Sequence, residues 1–208
     1  MQHALNYLGQ LRIYSYVDLL LLFQALHAGL RDMVGLSLLW FGFLIHLEWQ
    51  HRDMGRLRWP WPVWALLWIA GVVLVADPMC VPFLVLAAGY SLKKRIPFLA
   101  AVSPLINAGL KVALIEPLPG AHARQVLLVF VLMTIRNLLG DVRDAAKDAG
   151  EGVASIPVRL GYRRHTPLVY PLGLAVTSAV WVAMAGLPWW VWCCALAVQA
   201  LTYRLTPR

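Results

Sequence analysis

Apolar residues gather along the chain in eight stretches, at about 13–30, 33–50, 59–77, 79–92, 97–115, 124–140, 167–186 and 188–203, divided by short polar or breaker-rich joints. Most approach the twenty residues a helix needs to cross a hydrocarbon layer. The pattern therefore predicts an all-α fold: a polytopic transmembrane bundle of about eight spans around a central cavity, in one domain over 1–208. By length alone the 79–92 stretch could be a re-entrant segment. Charge decides for a span. With both termini cytoplasmic, one side collects Arg12, Arg52, Arg56, Arg58, Lys93, Lys94, Arg95, Arg136, Arg143, Lys147 and the basic residues from Arg159 onward, while the other holds little beyond Arg31 and Arg124. Removing one span would scramble that bias. The intervening turns carry breakers: ADP at 76–78, EPLPG at 116–120 and GLP at 186–188.

Composition agrees. Only 13% of residues are charged and 61% are hydrophobic, with a mean hydropathy of +0.67, which excludes an ordinary soluble globule. No basic cluster precedes the first apolar run and no cleavage site follows it, so no removable signal peptide is expected. The net charge of +8 is spread between apolar runs instead of forming one soluble face, which favours a lipid bilayer over nucleic acid as the partner. Cys80, Cys193 and Cys194 lack metal-ligand spacing and read as packing residues. Trp59, Trp61, Trp189 and Trp190 fall at span ends, where aromatic belts form.

Against this background the stretch GDVRDAAKDAGEGVASIPVRLG, 140–161, stands apart. Asp141, Asp144 and Asp148 are three and then four residues apart, so a helix places them on one face, where they repel one another. Carboxylates near hydrocarbon are costlier still, so a cation is expected to complete the group. The plainer reading is a solvated, charged helix capping a span. Short carboxylates held in register beside Arg143 and Lys147 favour the site.

DVRDAAKD at 141–148, a glycine-containing linker and SIPVRLG at 155–161 resemble the second aspartate-rich motif of the UbiA superfamily of intramembrane prenyltransferases, and RNLLG at 136–140 is similar to the helix end that precedes it. YSLKKRIP at 90–97 resembles the family's second cytoplasmic loop signature. The resemblance implies an enzyme that moves an isoprenoid chain from a prenyl diphosphate donor to an apolar or aromatic acceptor, with Mg²⁺ as cofactor and the active site toward the cytoplasmic side. Carboxylate-held Mg²⁺ acts as a Lewis acid on the departing diphosphate, and Lys and Arg neutralise the remaining charge. A cavity closed by hydrocarbon and aromatic faces would exclude water from the carbocation; Trp40, Phe41, Phe43, Tyr90 and Phe98 are candidates for its lining.

The family's first motif, Asn-Asp-x-x-Asp-x-x-x-Asp, corresponds to LEWQHRDMG at 47–55 and is degraded. Glu48 keeps an acid in register, His51 and Gly55 replace the other two, Arg52 matches an Arg that often follows the middle acid, and Asp53 is displaced by two positions. Imidazole suits softer metals than Mg²⁺, so His51 changes the metal, acts through a hydrogen bond, or has left metal binding. Arg12, in LRIYSY, resembles a family Arg that reaches the diphosphate, and reads equally as a membrane anchor. The expected set is Asp141, Asp144, Asp148 and Glu48 as catalytic and metal-holding acids, Asp53 as a further metal ligand, and Arg12, Arg52, Tyr90, Ser91, Lys93, Lys94, Arg143 and Lys147 on the diphosphate. The family usually has nine spans against the eight counted here, so an oligomer could supply a missing wall. Two other activities stay open: a UbiA-type terpene cyclase, which needs no acceptor, and a non-catalytic lipid-binding descendant.

Overall fold

A computed structural model describes residues 9–51 and 59–205. Among these the chain is all helical: α1 (Ile13–Ala25), α2 (Leu30–Gln50), α3 (Trp61–Val75), α4 (Cys80–Ser91), α5 (Pro97–Ala101), α6 (Ser103–Ile115), α7 (Ala123–Gly150), α8 (Ile156–Arg159), α9 (Val169–Met184) and α10 (Trp189–Arg204). Each of the eight apolar stretches thus holds a helix. Two of the helices, α2 and α7, are long and apolar enough to cross a membrane.

One stretch is divided. The 97–115 run breaks at Val102, which ends α5 and starts α6 with φ −96°, ψ 7°. Pro104 is the cause: it has no N–H to give the preceding turn, and its ring crowds the residues before it. The break turns the Ser103 side of α6 toward α7, where it meets Asp141.

Six helices make a ring. α2 packs on α4, α4 on α6, α6 on α7, α7 on α9, and α9 on α1. Tyr16 closes the circle by hydrogen-bonding Ser37 at 3.0 Å and packing its ring on Phe41. α3 lies outside the ring on α2, and α10 lies outside it across α1 and α9. The α2–α3 contact is close because Gly35, Gly42 and Gly71 leave room for it; a Cβ on Gly71 would come within 2.7 Å of Leu39 Cγ.

The main helices alternate in direction. At one end the start of α1 (Arg12) meets the end of α2 (Glu48), the end of α4 (Lys93) meets α7 (Asp141), and α9 (Tyr170) meets the end of α10 (Tyr203). At the other end the Gly120 N–H donates to the Leu26 carbonyl, and Arg31 donates to that of Leu74. Buried Leu19, Phe23, Leu39, Phe43, Phe83, Leu114 and Met133 fill the ring between the two ends. The outer faces remain apolar: Leu66, Ile69, Val73, Val85, Leu127, Ile135, Leu172 and Leu201 are all exposed.

Candidate functional site

The ring encloses a cavity of about 160 Å³ at the end where Arg12, His51, Lys93 and Asp148 gather. α7 supplies most of its polar wall. The helix runs past Gly140 without a break, so the aspartate segment is a continuation of it, and Arg136, Gly140, Asp141, Asp144 and Asp148 line one side. The aspartate segment is thus helical up to Gly150, as its three- and four-residue steps imply. Trp40, Phe43, Leu44 and Leu47 of α2, with Tyr90 of α4, form the facing apolar wall.

The three aspartates have different partners. Asp141 is buried, accepts from Ser103 Oγ at 3.2 Å and lies 3.8 Å from Lys93 Nζ. Burial pushes its carboxyl above the ordinary range, and the charges of Asp148 and Asp144 push the same way against Lys93. Asp148 is raised too, first by burial and then by the charge of Asp144, with Lys93 opposing. Asp144 goes the other way. Burial would raise it, but the two-pronged bond to Arg143 outweighs this and holds it below the carboxylate range.

Lys93 is the hinge of the basic side. It donates to Tyr90 Oη at 3.2 Å and sits 4.6 Å above that ring, facing Asp141. Burial works against its ammonium, yet Tyr90, Asp141 and Asp148 together hold the proton on more firmly than usual. Arg12 enters from the other side, donating to Glu48 Oε1 at 3.3 Å. Its backbone is left-handed, φ 49° and ψ 51°, which costs a residue with a Cβ about 1–2 kcal/mol. The bonds from Ser15 and Tyr16 N–H to the Arg12 carbonyl offset this and aim the side chain inward. Lys94 and Lys147 both lean on Glu151, Lys94 at 2.5 Å.

Not every expected residue meets the cavity. Arg52 and Asp53, with Gly55, lie outside the described residues. Glu48 is buried behind Arg12 and is not part of the lining, whereas His51, at the end of α2, is. Ser91 turns away: its hydroxyl donates to the Ala87 carbonyl at 2.8 Å and bonds His46 Nδ1 at 3.0 Å, deep among Trp49, Trp64 and Trp68. Tyr90 and Ser91 are adjacent in a helix, so both cannot face one cavity. Of the aromatic lining expected, Trp40, Phe43 and Tyr90 face the cavity, Phe41 packs on Tyr16, and Phe98 is exposed. Arg143 does more than expected. Besides Asp144 it bonds Tyr203 Oη at 3.0 Å and stacks 4.6 Å over Tyr170, in a group completed by Tyr14.

Sequence reasoning also passed over a buried polar layer below the cavity. Asp18 pairs with Arg136; Thr177 accepts from Arg136 Nη1 at 3.2 Å and donates to Asp18 Oδ1 at 2.9 Å, and Ser178 donates to the same oxygen at 3.2 Å. Lys111 lies close by, 1% exposed. The signal that could have found both was an ionisable residue inside an apolar run.

Comparison of the chain with protein-family models, curated proteins and solved structures finds no match. The resemblance at 90–97 and 136–161 therefore rests on those sequence motifs alone.

The donor set bears on Mg²⁺. Among the described residues no three His, Cys, Asp or Glu side chains converge as a metal group. Mg²⁺ asks for less: one or two carboxylates, the other positions going to water and substrate phosphate. Asp141 and Asp148 fit that demand. Both line the cavity, both offer oxygen, and Asp148 raises Asp141, a repulsion that a cation between them would relieve.

Proposed function

We propose that this chain is a polytopic membrane protein of the UbiA type, an intramembrane prenyltransferase that moves an isoprenoid chain from a prenyl diphosphate to an apolar or aromatic acceptor. One observation carries the reading. The cavity lining presents six basic side chains, Arg12, Lys93, Lys94, Arg136, Arg143 and Lys147, against three acids, Asp141, Asp144 and Asp148. The acids that pair with Arg12, Arg136 and Lys94, namely Glu48, Asp18 and Glu151, are not in that lining. Such a wall suits a ligand with several negative charges, and the apolar α2 wall beside it suits a hydrocarbon tail.

The outer surface supports eight crossings. Eight helices alternate in direction, their outward side chains are apolar, and Trp61, Trp189 and Trp190 stand exposed at helix starts. α7, with 28 residues, is about 42 Å long at 1.5 Å per residue, longer than the roughly 30 Å of hydrocarbon. In this reading the excess carries the aspartate end of α7, beyond Gly140, out of the apolar layer on the basic side, which the charge rule makes cytoplasmic.

In this reading Lys93, Arg12 and Lys94 bind the diphosphate oxygens. Asp141 and Asp148 would hold Mg²⁺, which would supply Lewis-acid assistance to the departing diphosphate. The allylic C–O bond breaks with its electron pair leaving on the diphosphate, and Trp40, Phe43 and Tyr90 shield the cation from water until the acceptor adds and loses a proton.

The test is to incubate the detergent-purified chain with prenyl diphosphates of several lengths, Mg²⁺ and candidate acceptors, following pyrophosphate and products by mass spectrometry. Pyrophosphate release with a prenylated acceptor is expected. Release with a cyclic hydrocarbon and no need of acceptor would replace the transferase by a cyclase, and no turnover at any length would leave a lipid-binding protein.

A further inference from the structure

Arg159 folds back along the protein. Its guanidinium donates to the Ala154 carbonyl and to that of Pro97, each at 3.0 Å, which pins the turn after α8 onto the start of α5. Gly161, left-handed at φ 80°, then reverses the chain, and the Tyr162 N–H closes on the Pro157 carbonyl at 2.8 Å. Further on, Thr166 Oγ1 donates to the Val142 carbonyl of α7 at 3.2 Å. Residues 159–166 are thus held at both ends. Val142 stands two residues past Gly140, about 3 Å along the helix, so in the bilayer reading this segment lies at the depth of the headgroups.

Apolar and basic side chains face outward there together. Leu160 is 81% exposed and Leu168 78%, and across the Arg159 contact Phe98 is 68% exposed. Arg163, Arg164 and His165 are exposed between the two leucines. Among the described residues, no hydrogen bond or ion pair occupies Arg163 or Arg164. Neither segment brings a counter-charge, because no acid occurs from 78 to 115 or from 152 onward. The nearest in sequence, Glu151, is engaged by Lys94 and Lys147.

Single exposed leucines are ordinary. Large apolar side chains on two segments pinned together, interleaved with cations that lack a counter-charge, have the composition of an interfacial anchor. The cytoplasmic bias of basic residues accounts for the arginines and leaves the leucines and Phe98 unexplained. We infer that the surface formed by 95–98 and 159–168 binds acidic phospholipids, with Arg163 and Arg164 on the phosphate oxygens and Leu160 and Phe98 among the first carbons of the acyl chains. The guanidinium fork suits a phosphate diester, which offers two oxygens side by side. This goes beyond the prenyltransferase reading and rests on the bilayer crossing alone, since neither arginine lines the cavity.

The full chain, purified in a neutral detergent, is melted with graded short-chain phosphatidylglycerol or phosphatidylcholine, and the lipid concentration giving half of the full shift is read for each. Phosphatidylglycerol is expected to act at the lower concentration by about tenfold or more, since each arginine at a headgroup is worth about fivefold. Arg163→Gln with Arg164→Gln should erase that preference, Arg163→Lys with Arg164→Lys should keep most of it, and Leu160→Ser should weaken both lipids alike. Arg124→Gln removes an exposed cation at the other end of α7 and should leave both midpoints in place. Equal action of the two lipids overturns the inference and leaves the bilayer crossing standing, whereas no action of either overturns both. An unchanged preference in the glutamine pair overturns the assignment to Arg163 and Arg164, and an equal loss in Arg124→Gln reduces it to net charge. Glycerol phosphate, the headgroup without chains, should have no effect at the same concentration; if it matches the lipid, the surface is a site for a free phosphate and the inference fails. Absence of pyrophosphate release from prenyl diphosphates while the lipid preference holds defeats the prenyltransferase reading alone.

Discussion

Replacing Asp18 by asparagine tests the polar layer that joins α1 to α7 and α9. The change keeps the shape and still offers Thr177 and Ser178 an acceptor oxygen, but strips the counter-charge from Arg136, which is 3% exposed. Removing one partner of a buried pair costs about 3–5 kcal/mol, because the other charge is left in a medium that solvates it poorly. At about 2–4 °C per kcal/mol for a chain of this size, the melting temperature should fall by about 6–20 °C. Thermal unfolding in detergent, followed by tryptophan fluorescence, measures it. Asp18→Leu with Arg136→Met should recover most of the loss, because two apolar side chains then replace both charges. A single variant within about 2 °C of the parent, or a double variant as unstable as the sum of its parts, would refute the view that the pair holds α1 in the ring.

Asp141→Asn reports the repulsion among the aspartates. Unfolded, Asp141 titrates near 4; folded, its proton is held more tightly, so ionised Asp141 lowers stability at neutral pH and not below the unfolded value. The variant should therefore melt above the parent at pH 7, the gap closing as pH falls toward about 4, and Mg²⁺ should stabilise the parent at pH 7 more than the variant; parallel pH curves would contradict this. Gly120→Ala should lower stability by about 1–3 kcal/mol, since its Cβ would lie 2.8–2.9 Å from backbone atoms of Leu26, whereas Gly89→Ala, with nothing within 4 Å, should be neutral or stabilising in the same melt. Single cysteines at 120 and 150 in a cysteine-free background should react with impermeant maleimide from opposite faces of a vesicle, and labelling of both from one face would break the eight-crossing arrangement.

Helices were legible because a long apolar run has few other ways to satisfy its backbone. The aspartate helix was legible because three- and four-residue steps have meaning on a helix and little elsewhere. The break at Val102 was not seen, although Pro104 signalled it, since hydropathy runs unchanged across it. At the site, Lys93, Lys94, Arg12 and the three aspartates were read from motif and charge and do line one cavity, whereas Ser91 faces His46 because adjacent helical residues diverge. Tyr14, Tyr170 and Tyr203 come from three helices, so no local pattern could place them around Arg143. Asp18 and Lys111 were visible as isolated charges, but what they signify depends on neighbours more than a hundred residues away in one case and on the lack of a hydrogen-bond partner in the other.

The reach of the Asp18 contacts has a consequence for how the molecule is made. Asp18 finds Arg136 118 residues later in the chain and Thr177 159 residues later. At roughly 5–20 residues per second, the first helix leaves the ribosome about 8–30 seconds before its last partner exists. During that wait it carries a carboxylate that nothing neutralises, a poor passenger for a lipid layer. If the chain is inserted into a membrane as proposed, α1 is the natural last piece to lock: it would stay at the headgroups or under the care of the insertion machinery while α2 to α7 assemble, and seat itself only when α9 arrives with Thr177 and Ser178. Truncation before α9 should then release the beginning of the chain along with its end.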